Sequence, residues 1–246
     1  MTTPNNSREP QNGAISGQAE VRTMFDRIVP KYDLMNHVMT FGMDFRWRKM
    51  LARQAAHLED RKSQRVLDVA TGTGDVAFEI RKAGVAEVVG LDLTPGMIEE
   101  AKQKAAKRPD EVTFMVGDGM NLPFGDGSFD ACTISFGLRN MPDYQGSINE
   151  MVRVLKPGGK LVCLEMTPFR RPFLGPFFRL YFNQVVPIIG WLLTRDYKAY
   201  KYLPDSVRQF PTADSLADMY REAGLQDVKY QLLGFGAVAM HVGIKP

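Results

Sequence analysis

Gly72 and Gly74 stand between an apolar run, Val66, Leu67, Val69 and Ala70, and the start of a helix, Val76-Ala77-Phe78-Glu79-Ile80. A strand, a glycine turn and a helix N-terminus bring bare backbone close to a ligand. Asp75 opens the helix, where the macrodipole favours an acid. A second apolar run, Glu87-Val-Val-Gly-Leu-Asp92, ends on a carboxylate about 20 residues after the glycines, a group and a spacing that suit the two hydroxyls of a ribose. Gly72, Gly74, Ala77 and Asp92 thus satisfy the loose dinucleotide pattern. They point to capture of a nucleoside-bearing cofactor, whose kind the pattern leaves open.

The elements that must hold these residues follow from periodicity. After Asp92 a helix is predicted over Pro95–Lys107, with Thr94 as N-cap and Pro95 in its first turn. A strand over Val112–Val116 closes on Gly117-Asp118-Gly119, and another runs from Phe129 to Phe136. A helix near Tyr144–Leu155 ends at Lys156-Pro157-Gly158-Gly159, and the strand Lys160–Met166 follows. Strands alternate with helices, which predicts a doubly wound parallel sheet. Ligands bind such sheets outside the carboxyl ends of the strands, where Asp92, Asp118 and Ser135 lie beside the glycine turn. A helix over Thr212–Ala223 and two strands, Asp227–Leu233 and Ala237–Gly243, complete the chain. The short turn Gly234-Phe235-Gly236 makes the two strands an antiparallel hairpin.

Two regions depart from the alternation. Residues 17–60 are helical without strands: Val21, Met24, Phe25 and Ile28 fall at i, i+3, i+4 and i+7. They read either as a cap on one sheet face or as a lid over the cofactor, with Phe25 and Tyr32 as contacts. Residues 169–210 contain the long apolar stretch Phe173–Leu193, but Pro176, Arg179, Asn183, Gln184 and Pro187 argue against a membrane span. This stretch reads as a helical insertion on the sheet edge, compatible with an apolar mouth for a lipid-like substrate at a membrane surface.

The 246 residues suffice for one α/β domain over 17–246, preceded by a polar stretch, 1–16, that reads as a disordered tail without a signal sequence. A formal charge of +3 is too small to argue for nucleic acid. The two cysteines, Cys132 and Cys163, fall in predicted strands and read as buried thiols of a reducing compartment. His37, His57 and His241 are scattered, and no metal-ligand spacing is present.

The chain resembles the S-adenosylmethionine-dependent methyltransferases in Val66–Asp75, Asp92, Gly117-Asp118, Leu122-Pro-Phe-x-x-x-Ser-Phe-Asp130 and Leu155-Lys-Pro-Gly-Gly159. More narrowly, it is similar to the ubiquinone/menaquinone biosynthesis C-methyltransferases. The residues that carry this are Tyr32-Asp-Leu-Met-Asn36, Phe41-Gly42, Trp47, Ile134-Ser-Phe-Gly-Leu-Arg-Asn140, Glu165 and Tyr202-Leu-Pro-Asp-Ser-Val-Arg-Gln-Phe-Pro211. Two positions depart: Asp44 stands where the family often has His, and Thr167 where it often has Ser.

The resemblance implies a class I methyltransferase fold, Rossmann-like, with seven mostly parallel strands and an antiparallel last one. It implies S-adenosylmethionine, held by Gly72, Thr73, Gly74, Asp92, Leu93, Asp118, Gly119 and Ser135, and no metal. The acceptor it implies is a ring carbon of a polyprenylated quinol, demethylmenaquinol ahead of a methoxy-benzoquinol. Arg139 and Asn140 would act on the quinol oxygen, and Tyr32, Asp33, Tyr202 and Arg208 would line its pocket. A salt bridge tying Arg139 to Asp143 or another acid is the plainer role for that residue. A cytoplasmic protein touching the inner membrane face through 173–193 follows, with a homodimer left open and no nucleic-acid partner. A dehydrogenase and a non-catalytic quinone binder are the remaining readings.

Overall fold

Five consecutive apolar runs pair in parallel because helices cover both of their faces. β1 (Arg65–Val69) is buried from Val66 onward. It lies between β2 (Glu87–Asp92) and β4 (Phe129–Ser135), parallel to both. β3 (Thr113–Val116) extends one side, and β5 (Leu155–Met166) the other. β7 (Val238–Ile244) runs antiparallel between β5 and the edge strand β6 (Gln226–Leu233). The order β3-β2-β1-β4-β5-β7-β6 reverses direction between β1 and β4, which opens a crevice at their carboxyl ends. In this computed structural model the described residues are 23, 25–56, 61–108, 111–169, 180–186, 188 and 197–246, without the side chains of 30, 182–183 and 197–202.

Seven α-helices are used below: α1 (Tyr32–Met39), α2 (Met43–Ala55), α3 (Asp75–Lys82), α4 (Pro95–Ala105), α5 (Tyr144–Val154), α6 (Tyr197–Gln209) and α7 (Ala213–Glu222). Alternation along the strands sorts the core into two layers. Val66, Val88, Ala131 and Val162 face α2, α3 and α4 through Leu51, Phe78 and Ile98. Leu67, Val89, Cys132 and Leu161 face α5 and α7 through Ile148, Met151 and Tyr220. Cys132 and Cys163 are both buried and free.

Most predicted elements are present within two residues. The Lys156–Gly159 stop is instead the looped start of β5. Leu155 pairs with Phe129 and Lys160 with Ala131, and the residues between bulge out with Gly158 at φ +78°. The helical region before the first strand is present as α1, α2 and the 3₁₀ turn Val29–Lys31. Val21, Met24, His57 and the tail lie outside the described residues, as do 173–179, 187 and 189–193 of the apolar stretch.

Gly90 shows how tightly the sheet meets its cover. A Cβ there would lie 2.7 Å from the Phe114 ring and 2.9 Å from Thr71 Oγ1. Gly90→Ala is therefore expected to cost about 1–3 kcal/mol by overpacking. Urea unfolding should show Phe114→Leu costing less in the Gly90→Ala background than in the wild type. Additive losses would show that the two positions do not clash.

Candidate active site

The turn after β1 is built from left-handed backbone: Ala70, Gly72 and Gly74 have φ of +51°, +55° and +88°. The curl aims the Gly72 N–H at Asp92, whose Oδ2 accepts it at 2.8 Å, while Oδ1 accepts the Thr94 N–H at 2.9 Å. Burial pushes the Asp92 carboxyl up, against the pull of these two donors. Thr94 sits at the N-cap of α4 as predicted, but its side chain makes no cap bond.

Beside this turn lies a cleft of about 710 Å³. Gly72, Asp92, Leu93, Asp118, Gly119 and Ser135 line it, as the sequence predicts, and Phe25, Tyr32 and Asn140 close it. Asp118 is curled in place by accepting the Met120 N–H at 2.9 Å. Gly119 must lack a side chain, since a Cβ would fall 2.8 Å from Met141 and 2.9 Å from Val69. Ser135 Oγ is buried without a hydrogen-bond partner among the described residues. Gly74 lines neither this cleft nor its neighbours. Its missing side chain makes room for Phe114, 2.6 Å from where a Cβ would be.

One end of the cleft is acidic. Asp33, Asp68 and Asp75 line an adjoining space of about 370 Å³ with Arg48 and Thr73. Asp68 is 1% exposed and accepts from Thr71 Oγ1 and Thr133 Oγ1, both at 2.6 Å. Burial outweighs these bonds and pushes its carboxyl up to about 6. The Thr73 hydroxyl, predicted to face the cofactor, is already engaged: it donates to Asp33 at 2.6 Å and accepts from Lys104 at 2.9 Å. Lys104 also pairs with Asp33 at 2.5 Å and Asp75 at 2.9 Å. Asp75 pairs in turn with Arg48, and Arg48 with Asp44 at 3.2 Å. Burial pushes the Asp75 carboxyl up, but Arg48 and Lys104 outweigh it and hold it below the usual range. His37 ends the chain, its Nδ1 2.7 Å from Asp44 Oδ2.

A second, apolar cleft of about 1290 Å³ meets the first at Phe136, which lines both. Met39, Trp47, Met166, Tyr181 and Leu203 form its walls, and Arg139 and Asp44 are its charged groups. Arg139 is tied to Glu165, the plainer role anticipated for it: Nη1 donates to Glu165 Oε1 at 2.6 Å and to the Phe136 carbonyl at 2.7 Å. Asn140 reaches the same carbonyl at 3.4 Å. Tyr32 stands over the junction with the turn; burial pushes its phenol up, partly offset by Arg139.

Arg208 is a correction. Leu203, Ser206, Val207 and Phe210 turn inward, which leaves Arg208 at 68% side-chain exposure beside Asp205 and in neither cleft. The side chain of Tyr202 lies outside the described residues. The site also holds Arg48, Asp68 and Lys104, which no motif marks, and Asp44, marked only as a departure from the family pattern. Asp44 and Arg48 had a signal: they share one face of α2 with Trp47, Leu51 and Ala55, a charged i,i+4 pair on a buried stripe. Where the family often has His, Asp44 instead receives an imidazole from α1.

The profile of the ubiE/COQ5 methyltransferase family matches residues 14–245. The chain belongs to that family. It is 47% identical to the demethylmenaquinone methyltransferase of Thermus thermophilus, over 91% of this chain and 100% of that protein. The enzyme of the same description from Deinococcus radiodurans is 47% identical, over 93% of each chain. A Desulfotalea psychrophila protein, ubiquinone/menaquinone biosynthesis C-methyltransferase UbiE, is 41% identical over 92% of this chain and 90% of its own. Among solved structures, an S-adenosylmethionine-dependent methyltransferase from Thermotoga maritima superposes with a TM-score of 0.62 at 20% identity, over 91% of this chain and 99% of that one. Phosphoethanolamine N-methyltransferase 2 of Haemonchus contortus superposes with a TM-score of 0.63 at 15% identity, over 91% of this chain and 60% of that one. The protein is a methyltransferase, with the fold of the S-adenosylmethionine-dependent class.

Asp68 gives this methyltransferase a pH signature. With its carboxyl raised to about 6, the folded state keeps a proton that the unfolded chain releases near pH 4. The stability this brings is complete below about pH 4 and is lost as pH rises through about 6, a change of about 2–3 kcal/mol. Urea unfolding from pH 4.5 to 7.5 should show the wild type losing stability relative to Asp68→Asn over that window. A constant difference between the two would show that Asp68 ionises normally.

Proposed function

We propose that the chain transfers the methyl group of S-adenosylmethionine to a ring carbon of a polyprenylated quinol, with demethylmenaquinol as the acceptor. The observation that carries this reading is the meeting at Phe136 of two clefts, one bordered by Asp92, Asp118 and Ser135 and a larger apolar one with Arg139 in its wall. The two 47%-identical relatives named for demethylmenaquinone methylation support the naphthoquinol over a benzoquinol.

The residues present fit the cofactor. Asp92 has acceptor capacity beyond its two backbone donors, enough for ribose hydroxyls. Asp118 and Gly119 line the cleft, and Ser135 Oγ, without a partner among the described residues, offers a hydrogen bond. The acids Asp33, Asp68 and Asp75 make the other end suited to an α-ammonium group. When bound, the cofactor supplies an electrophilic methyl group.

The chain's task is then to present a nucleophilic carbon in line and keep water away. A quinol ring carbon becomes a good nucleophile as its hydroxyl ionises, so the reduced ring is the substrate. Arg139 is held from behind by Glu165, which fixes the guanidinium where a phenolate forms. Phe136 lines both clefts, so the acceptor ring would meet the methyl group at the junction beside it, where apolar side chains keep water away. The cleft mouth supports contact with a lipid surface. Phe41 and Phe235 line it at 76% and 75% exposure, both with left-handed backbone that bulky residues rarely adopt. Among the described residues no helix is long and apolar enough to cross a membrane.

Anaerobic incubation with methyl-labelled S-adenosylmethionine and demethylmenaquinol should place the label on the ring carbon. Arg139→Lys keeps the charge but loses the fork, and is expected to lower kcat about 10²–10³-fold with cofactor affinity unchanged. Absence of labelled quinol in the wild type would overturn the reading. A normal kcat in the variant would reduce Arg139 to a tie between its loop and Glu165.

A further inference from the structure

Asp44 is a carboxylate in the wall of an otherwise apolar cleft. It is 0% exposed and shares that cleft with Arg139. Three donors reach it: Thr40 Oγ1 at 2.8 Å on Oδ1, and His37 Nδ1 at 2.7 Å and Arg48 Nη2 at 3.2 Å on Oδ2. A carboxylate has about four acceptor sites, so capacity for one more donor remains. The Thr40 hydroxyl has a second acceptor, the Asn36 carbonyl at 2.7 Å, and its single proton serves only one of the two at a time.

From His37 to Asp33 the chain carries three acids, Asp44, Asp75 and Asp33, against two permanent cations, Arg48 and Lys104. One negative charge is therefore in excess while His37 is neutral, in a setting where unbalanced charge is costly. His37 from α1 and Arg48, with Asp75 behind it, face Asp44 directly, and Arg139 with Glu165 across the cleft is a separate pair that adds no net charge. Tyr181, also in the cleft wall, donates its hydroxyl to the Met39 carbonyl at 2.9 Å. Glu165, the other buried acid nearby, also accepts from three donors, Arg139 Nη1 at 2.6 Å, the Met166 N–H at 2.8 Å and the Arg139 N–H at 3.2 Å, and is committed to the guanidinium that faces the cleft.

We propose that Asp44 is the general base of the methyl transfer, with His37 holding it in place. The inference rests on the quinol reading above. The quinol O–H bond breaks, its proton goes to a carboxylate oxygen of Asp44, and the ring oxygen is left as a phenolate beside Arg139. The ring carbon takes the methyl group as the S–CH₃ bond breaks, with that electron pair remaining on sulfur. The ring C–H proton then leaves to water as aromaticity returns, and Asp44 gives its proton back to the ring oxygen. One proton is released overall.

The test is the pH dependence of kcat for Asp44→Asn, which keeps the side chain's shape but cannot take a proton. At pH 7 kcat should fall about 10²–10⁴-fold, the usual contribution of a general base. Between pH 7 and 9 it should climb about tenfold per unit as the quinol ionises by itself, while the wild type stays nearly flat. The fall should appear in kcat at saturating S-adenosylmethionine, whatever the change in cofactor affinity. A kcat equal to wild type, or a loss that is the same at every pH, would overturn the proposal. If Asp44→Asn fails to bind the cofactor, Asp44→Glu decides: a retained carboxylate should give a low but flat profile, and a climbing one would overturn the proposal. Failure of the wild type to methylate any quinol would instead overturn the functional reading itself.

Discussion

A line of alternating charges, Asp33–Lys104–Asp75–Arg48–Asp44, ties the N-terminal helices to the methyltransferase sheet. Asp33 belongs to α1 and Asp44 to α2, whereas Asp75 and Lys104 belong to α3 and α4. Each member is at least partly buried, so removing one strands its neighbour in a poorly solvated place. The line passes behind the glycine turn and sets Tyr32 over Gly72, 3.6 Å from where a Cβ would be. Because of it, the first helices are walls of the site as well as a cover for the sheet.

Those walls make two clefts from one crevice. α1 contributes Tyr32 to the cleft beside the glycine turn and Asn36 and Met39 to the apolar one. The turn after β4 then divides them, with Phe136 in both and with Arg139 fixed by Glu165 from β5. Phe136 has φ +54°, a strained conformation for an aromatic residue and one that recurs at functional positions. Local strain, a buried ion pair and an unpartnered serine hydroxyl thus converge on a few residues at the carboxyl edge of β4, where the functional reading places methyl transfer.

The sheet was legible because its strands carry apolar runs and its turns carry glycine. β2 falls on its predicted bounds, and Asp92, Asp118 and Ser135 lie at strand ends beside the crevice. What periodicity did not reveal was which polar groups face each other across distant parts of the chain. Asp33 and Lys104 are 71 residues apart, and each alone reads as a solvated charge. Thr73 was assigned by motif, yet its hydroxyl is engaged by that pair. Arg208 was placed in the pocket by resemblance, but the apolar stripe of α6 turns it to solvent. Gly74 fits the motif for a packing reason, the ring of Phe114, which no spacing rule contains.

The central claim is that the charge line, by docking the first helices, completes both clefts together. Lys104→Met tests it most directly, since it deletes the link shared by Asp33, Thr73 and Asp75 and leaves the sheet core alone. Calorimetric titration with S-adenosylmethionine, alongside the quinol KM, should show both weakened about tenfold or more, as when a charged hydrogen-bonding partner is lost. Unchanged cofactor affinity together with an unchanged quinol KM in the folded variant would contradict the account.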